Sequence, residues 1–178
     1  MITNIETELF YMRHFETEDA SALFEMESIP EVHTYLGKQP LTDINQMHEV
    51  IKGVKAQYQK NKIGRMLVLD KETNELLGWC GLKLEEKLRP FNYYDIGYRF
   101  KPQHWGKGIA TETALASLRL GFETLNLPEI CGAADVENLA SCRVLQKIGL
   151  KFTEQFIFEG TLCNFYILKK EDWLENKN

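Results

Sequence analysis

The spacing of apolar residues divides the chain into strand-period and helix-period segments. Residues 8–15 read as a first strand. Thr17, followed by acidic Glu18 and Asp19, is placed to cap a helix whose apolar face is Ala20, Leu23, Phe24 and Met26, and Pro30 stops it. Residues 28–41, with Pro30, Gly37 and Pro40, read as a loop or broken helix. Thr42 or Asp43 then caps a second helix reaching about Lys60, with Ile44, Met47, Val50, Ile51, Val54 and Tyr58 at helical spacing. From Gly64 the period shortens. Residues 65–70 and 75–85 predict a hairpin around the turn 71–74, and a polar hinge at 86–90 leads to a strand over 92–100.

The next helix is expected from about Lys107 to Leu125, with Leu115, Leu118, Phe122 and Leu125 on one face. Residues 129–136 are apolar enough for a buried strand. Asn138 caps a helix that turns Val144, Leu145 and Ile148 inward, and Gly149 is placed to end it. Residues 151–158 and 163–169 close the chain as a hairpin around Glu159-Gly160-Thr161, and residues 171–174 add a helical turn. Early strands are joined by hairpins and later ones by helical crossovers. The expected fold is α+β: a central mixed, largely antiparallel sheet of about seven strands flanked by about four helices. No repeat or linker interrupts residues 1–178, which are expected to form one domain.

Composition narrows the partners. The 178 residues are 44% hydrophobic and 26% charged, with a formal net charge of −5, so a general nucleic-acid surface is disfavoured and a cationic partner is favoured. No segment reaches the apolar length of a membrane span. Cys80, Cys131, Cys142 and Cys163 are far apart and form no CxxC, and the four histidines add no ligand pairs. Reduced, buried thiols, no metal and a cytoplasmic setting are expected.

The stretch from Asp95 to Ala110 carries the chemistry. An alternating strand, Asp95-Ile96-Gly97-Tyr98-Arg99-Phe100, passes Pro102 into Gln103-His104-Trp105-Gly106-Lys107-Gly108-Ile109-Ala110 at a helix entrance. Two glycines let backbone N–H groups approach an anion, the helix dipole favours negative charge there, and Lys107 can add a full positive charge. The GxxxxGK[ST] spacing of a nucleoside-triphosphate loop is absent, and a dinucleotide GxGxxG fails at Thr111.

This segment resembles the Q/R-x-x-G-x-G/A motif of GCN5-related N-acetyltransferases (GNAT), either as Gln103/Gly106/Gly108 or, with Trp105 in the first place, as Gly108/Ala110. His104 to Glu112 is similar to the subgroup that includes ribosomal-protein alanine N-acetyltransferases. Residues 29–36, 137–150 and 166–173 share its flavour. The resemblance implies a GNAT-like fold, acetyl-CoA as co-substrate, and an amine acceptor, either a small molecule or a protein N-terminus. A homodimer is among the assemblies left open.

By that resemblance, backbone groups of Tyr98, Arg99 and Phe100 pair with the pantetheine arm, and one N–H faces the thioester carbonyl, where negative charge develops. The N–H groups of Trp105 through Ala110 hold the pyrophosphate, within a cofactor site running from Gln103 and His104 onward. Asn138, itself a helix cap, resembles the asparagine that bonds the pantetheine. Asp95 stands where many relatives carry a catalytic glutamate; alternation sets it on the face of Tyr93 and Gly97, opposite Ile96 and Tyr98. Desolvation there would raise its pKa toward that of a useful base, and an ion pair is the competing role.

The tyrosine that many relatives use to protonate the thiolate falls at Leu145, while Ser141 is placed either to donate to the thiolate or to complete the Asn138 cap. Glu112 is expected to point away from the phosphates. The acceptor is expected between residues 28–41, 86–92 and 159–164, near Glu27, Glu31, Glu85, Glu86 and Glu159, with Lys87 and Arg89 partly offsetting them. The competing class is a non-catalytic acyl-CoA-binding regulatory domain.

Overall fold

A computed structural model describes residues 4–35 and 39–175. Its elements are β1 (Asn4–Glu6), β2 (Phe10–Arg13), α1 (Ala20–Glu27), α2 (Ile44–Asn61), β3 (Arg65–Asp70), β4 (Leu76–Glu85), β5 (Tyr93–Phe100), α3 (Ile109–Arg119), β6 (Glu129–Asp135), α4 (Leu139–Lys147), β7 (Lys151–Phe158), β8 (Thr161–Lys169) and α5 (Lys170–Glu175). The strands form one sheet in the order β1-β2-β3-β4-β5-β6-β8-β7. Every neighbouring pair is antiparallel except β5 and β6, whose connection through α3 makes them parallel. The mixed α+β architecture is the expected one. No helix among the described residues is long and apolar enough to cross a membrane.

Local chemistry explains most boundaries. Asp43 caps α2 by accepting the N–H of Asn45 at 2.8 Å, and Gln46 reaches back to the Asp43 N–H at 3.0 Å. Of the six apolar positions on that helix, Met47, Ile51 and Tyr58 are buried, whereas Ile44 and Val50 face solvent. Gly149 ends α4 with φ 97°, and Glu159 and Gly160 make the two-residue turn of the last hairpin with φ 48° and 79°.

Two expectations move. The strand expected over 8–15 is confined to Phe10–Arg13, and Asn4–Glu6 adds an eighth strand beside it. Only Ile5 in that short strand is apolar, so its pairing comes from the neighbouring strand and not from its own pattern. Thr17 is not the cap before α1. It lies inside a 3-10 turn, Thr17–Asp19, capped by Glu16, because the Asp19 carboxylate accepts the Glu16 N–H at 2.6 Å and is held by both Arg13 nitrogens at 2.7 and 2.8 Å.

Two cores lie on opposite faces. Ile96, Phe100, Ile109, Leu118, Phe122, Ile130 and Leu145 pack with α3 and α4 on one face. Leu23, Met26, Met47, Ile51, Leu67 and Leu69 pack with α1 and α2 on the other, and Tyr93, Cys131 and Phe165 form a smaller cluster. The four cysteines are buried and unpaired. Between β5 and β6 the registered pairing among the described residues is Asp95 opposite Cys131, although β5 pairs with β4 up to Phe100 opposite Gly78. The later half of β5 therefore turns one backbone edge toward an opening seam.

Candidate functional site

The seam leads directly to the glycine loop. Gly106 and Gly108 have φ of 75° and 81°, and a Cβ added at either meets nothing within 4 Å. They are not squeezed by packing, so a side chain at either would project into the open space beside the loop. Gly108 is the N-cap of α3 without any side-chain cap, and the first bond of the helix runs from the Glu112 N–H to the Gly108 carbonyl at 3.1 Å. The N–H groups of Ile109, Ala110 and Thr111 precede that bond at the positive end of the dipole. Residues Gln103 and Trp105 to Gly108 are exposed, Lys107 among them. This is a solvent-facing cradle that fits a phosphate-bearing group.

One expected donor is lost. The Trp105 N–H goes to the Pro102 carbonyl at 3.1 Å and the His104 N–H to the Lys101 carbonyl at 3.0 Å, because Pro102–His104 is a 3-10 turn. The cradle's backbone donors therefore begin at Gly106. The Trp105 indole instead donates to the Phe100 carbonyl at 2.8 Å, tying the loop to the end of β5, and the His104 ring meets Glu75 at 3.1 Å. Glu112 points away, accepting the Leu9 N–H at 3.1 Å.

On the α4 side of the seam, Asn138 caps its helix by accepting the Ser141 N–H at 3.0 Å, which leaves the carboxamide nitrogen as its donor end. The Tyr98 hydroxyl lies 3.0 Å from Ser141 Oγ and donates to the Ser141 carbonyl at 3.1 Å. Burial pushes the Tyr98 phenol up, so it stays protonated. Tyr98 thus links β5 to α4 through its side chain. The signal was its alternation opposite Asp95, but the partner lies 43 residues away. Leu145 is 1% exposed and packs against Gly132, inside the core.

Asp95 lies on the opposite face from Ser141, and the structure does not bring these two together. Its carboxylate pairs with Arg65 Nη2, while Arg65 Nη1 donates to the carbonyls of Gly81 and Asp95. Burial pushes the Asp95 carboxyl up, and the Arg65 guanidinium pulls it back. The Arg65 side chain lies across Gly97, where a Cβ would collide with it.

A second polar cluster was missed at the sequence level. Glu27, at the end of α1, accepts from Trp79 Nε1 and Arg99 Nη1, both at 2.7 Å. His33 Nε2 sits 3.1 Å from the same carboxylate, an electrostatic contact and not an aligned hydrogen bond. Arg65 and Arg99 each hold a guanidinium over the Trp79 ring, at 5.6 and 5.5 Å.

The expected acidic acceptor mouth is therefore largely consumed internally. Glu27 serves this cluster. Glu85 pairs with Lys83 and accepts the N–H groups of Glu86, Lys87 and Leu88, and Glu86 meets Lys60 at 3.3 Å. Residues 36–38 of the expected acceptor segment, including Gly37, lie outside the described residues.

Burial raises the Glu27 pKa, but His33, Arg99 and Trp79 together bring it below its ordinary value of 4.5. A depressed pKa means that the folded state binds the proton less tightly than the unfolded chain. Glu27 then stabilises the fold above pH 4.5 and loses that contribution as pH falls through the folded value. Glu27→Gln should be less stable than wild type at neutral pH and lose less on acidification. Urea midpoints from neutral pH down to about pH 3 will measure this, and parallel curves would refute it.

Comparison with known proteins places these features in context. A family model described as an acetyltransferase (GNAT) domain matches residues 10–151. The uncharacterized N-acetyltransferase p20 of Bacillus licheniformis is 32% identical over 145 residues, covering 82% of this chain and 80% of its own. Among solved structures, a GNAT-family acetyltransferase from Bacillus anthracis superposes with a TM-score of 0.81 at 24% identity, covering 95% of this chain and 99% of its own. A ribosomal L7/L12 alpha-N-protein acetyltransferase in complex with coenzyme A superposes with a TM-score of 0.78 at 17% identity, covering 93% and 97%.

Proposed function

The chain belongs to the GNAT acetyltransferase family and is an N-acetyltransferase, and from that premise we propose that it moves an acetyl group from acetyl-CoA to a primary amine by direct attack on the thioester. The observation that carries the reading is the continuity of an unpaired β5 edge, a seam and an uncapped glycine cradle. The acceptor amine belongs to a protein N-terminus, a polyamine or a small molecule. Polyamine and ribosomal-protein acetyltransferases both occur among the structural neighbours.

Acetyl-CoA supplies the activated acyl group when bound. Gly106 through Ala110 receive its pyrophosphate, with Gln103, His104, Trp105 and Lys107 around them. The backbone of Tyr98, Arg99 and Phe100 lies along the pantetheine arm, and one of its N–H groups donates to the thioester oxygen. Such a fixed donor is worth a few kcal/mol, roughly 3–4 in comparable oxyanion sites. Asn138 donates from its carboxamide nitrogen to the arm. When the Tyr98 hydroxyl turns its one proton from the Ser141 carbonyl to Ser141 Oγ, the Ser141 O–H is released to donate toward the leaving sulfur. The Arg99 side chain is held by Glu27.

Asp95 is the group we assign as base for the acceptor ammonium, since burial pushes its pKa up and it lies on the α1/α2 face of the thioester strand. Arg65 opposes that role, and the variant Asp95→Asn separates the two. A base role predicts a fall in kcat of about 10²–10³-fold together with loss of the acidic limb of the pH–rate profile. An unchanged profile would leave Asp95 as an ion-pair partner alone. The whole reading is tested by thermal shift with acetyl-CoA, followed by thiol release over a panel of amines and N-terminal peptides. Absence of both binding and release defeats it.

A further inference from the structure

The link from β4 to β5 meets the terminal hairpin in an aromatic enclosure that the acetyl-transfer reading leaves unused. The Arg89 side chain is 10% exposed, and its guanidinium carbon lies 5.0, 4.7 and 4.8 Å from the ring centres of Phe91, Phe156 and Phe165. Its Nη2 donates to Glu154 at 2.8 Å, but its Nη1 is buried without a hydrogen-bond partner. Tyr93 is 4% exposed, with its ring edge-on to Phe165 at 5.1 Å, and its hydroxyl is likewise buried and without a partner. A buried polar group with no partner is costly, and here two donors flank one phenylalanine ring. What both lack is an oxygen.

The charge balance selects which oxygen. Glu154 already matches the Arg89 charge, and Asp95 and Glu85 act on Tyr93 as further negative neighbours. A carboxylate would be a surplus anion in an aromatic setting, whereas a neutral carbonyl takes hydrogen bonds without adding charge. The wall of the enclosure that faces solvent is Phe91, 46% exposed on the connecting loop.

We propose that Arg89 and Tyr93 form a subsite for the uncharged carbonyl of an amide or peptide group, carried by the acceptor at a distance from its reacting amine. This rests on the acetyl-transfer reading for the position of that amine. Tyr93 lies five residues before Tyr98 on β5, about 16 Å at the usual rise. An extended chain of about five residues spans that gap.

The test compares two acceptors of matched length, a pentapeptide amide with a free N-terminal amine and no charged side chain, and an unbranched alkyl monoamine without carbonyls. The ratio of their kcat/KM values is measured for wild type, Tyr93→Phe and Arg89→Lys. Tyr93→Phe keeps the ring and its packing, so the fold is preserved. Both variants should lower the peptide-to-alkylamine ratio about tenfold. An unchanged ratio means the orphan donors serve water only and overturns the proposal. Transfer by the wild type to other amines of the panel but to neither of these two overturns the proposal, whereas no acetyl-CoA binding and no transfer across the whole panel defeats the acetyl-transfer reading instead. Calorimetric titration of the peptide amide into the protein loaded with free CoA, which has no acetyl group to transfer, then decides: binding weakened about tenfold in Tyr93→Phe supports the subsite, and equal binding, or none to wild type, refutes it.

Discussion

Valine at Gly108 is expected to raise the KM for acetyl-CoA at least about tenfold and to blunt the thermal shift that acetyl-CoA produces. The backbone there has φ 81° and ψ −2°, a left-handed conformation that a β-branched residue adopts only under strain of about 1–3 kcal/mol. Because nothing lies within 4 Å of an added Cβ, no neighbouring atom collides with it, and the resistance comes from the backbone conformation alone. On the proposed reading, the new atoms stand where the phosphate approaches the N–H groups of α3. Gly53 provides the control, since it too has nothing within 4 Å of an added Cβ but sits within the exposed face of α2. Gly53→Ala should stabilise by about 0.5–1 kcal/mol and leave the KM for acetyl-CoA unchanged. Two glycines with equal room thus predict opposite outcomes, because one is left-handed and the other helical. If Gly108→Val binds acetyl-CoA as wild type does, the cradle is not the phosphate site.

That contrast also shows which parts of the molecule could be read in advance. Backbone requirements are local, so the glycine loop, the cap of α2 to within Thr42 or Asp43, and the glycine that ends α4 were all legible from short stretches. The hydrophobic period likewise placed α2, β3 to β6 and α4 within a few residues, whereas the helix expected to Leu125 ends as α3 at Arg119 and continues as a π-helical turn over Leu120–Thr124. Side-chain partners were not legible, because they are chosen across the fold. Asp95 finds Arg65 30 residues away, and Glu27 finds Trp79 at 52 and Arg99 at 72. Nothing in the period around Asp95 distinguishes a carboxylate held by an arginine from one facing an acceptor. The acidic mouth failed for the same reason: counting carboxylates says nothing about the lysines and N–H groups that satisfy them. Trp105 shows a subtler limit. Its N–H is consumed by a 3-10 turn that Pro102 initiates, and a motif written in residue letters does not record which N–H groups remain.

Arg65→Leu is expected to cost about 3–5 kcal/mol, a fall in Tm of roughly 6–20 °C for a domain of this size. Arg65 is 9% exposed and gives hydrogen bonds to the Gly81 carbonyl and to both the carbonyl and carboxylate of Asp95. Leucine strands the carboxylate at 8% exposure, with Lys83 the remaining cation acting on it among the described residues. Burial then pushes the Asp95 pKa further above its ordinary 3.8 with less to pull it back. A raised pKa means that the folded state holds the proton more tightly than the unfolded chain, so stability is greatest below pH 3.8 and falls as pH rises through the folded value. Arg65→Leu should therefore lose more stability at pH 7 than at about pH 5, opposite in direction to the acid loss assigned to Glu27. Adding Asp95→Leu should recover part of the loss, because the cost lies in the unpaired charge and not in the missing pair. Urea midpoints for the single and double variants at both pH values decide the matter, and a single variant within about 1 kcal/mol of wild type would show that the pair is solvated.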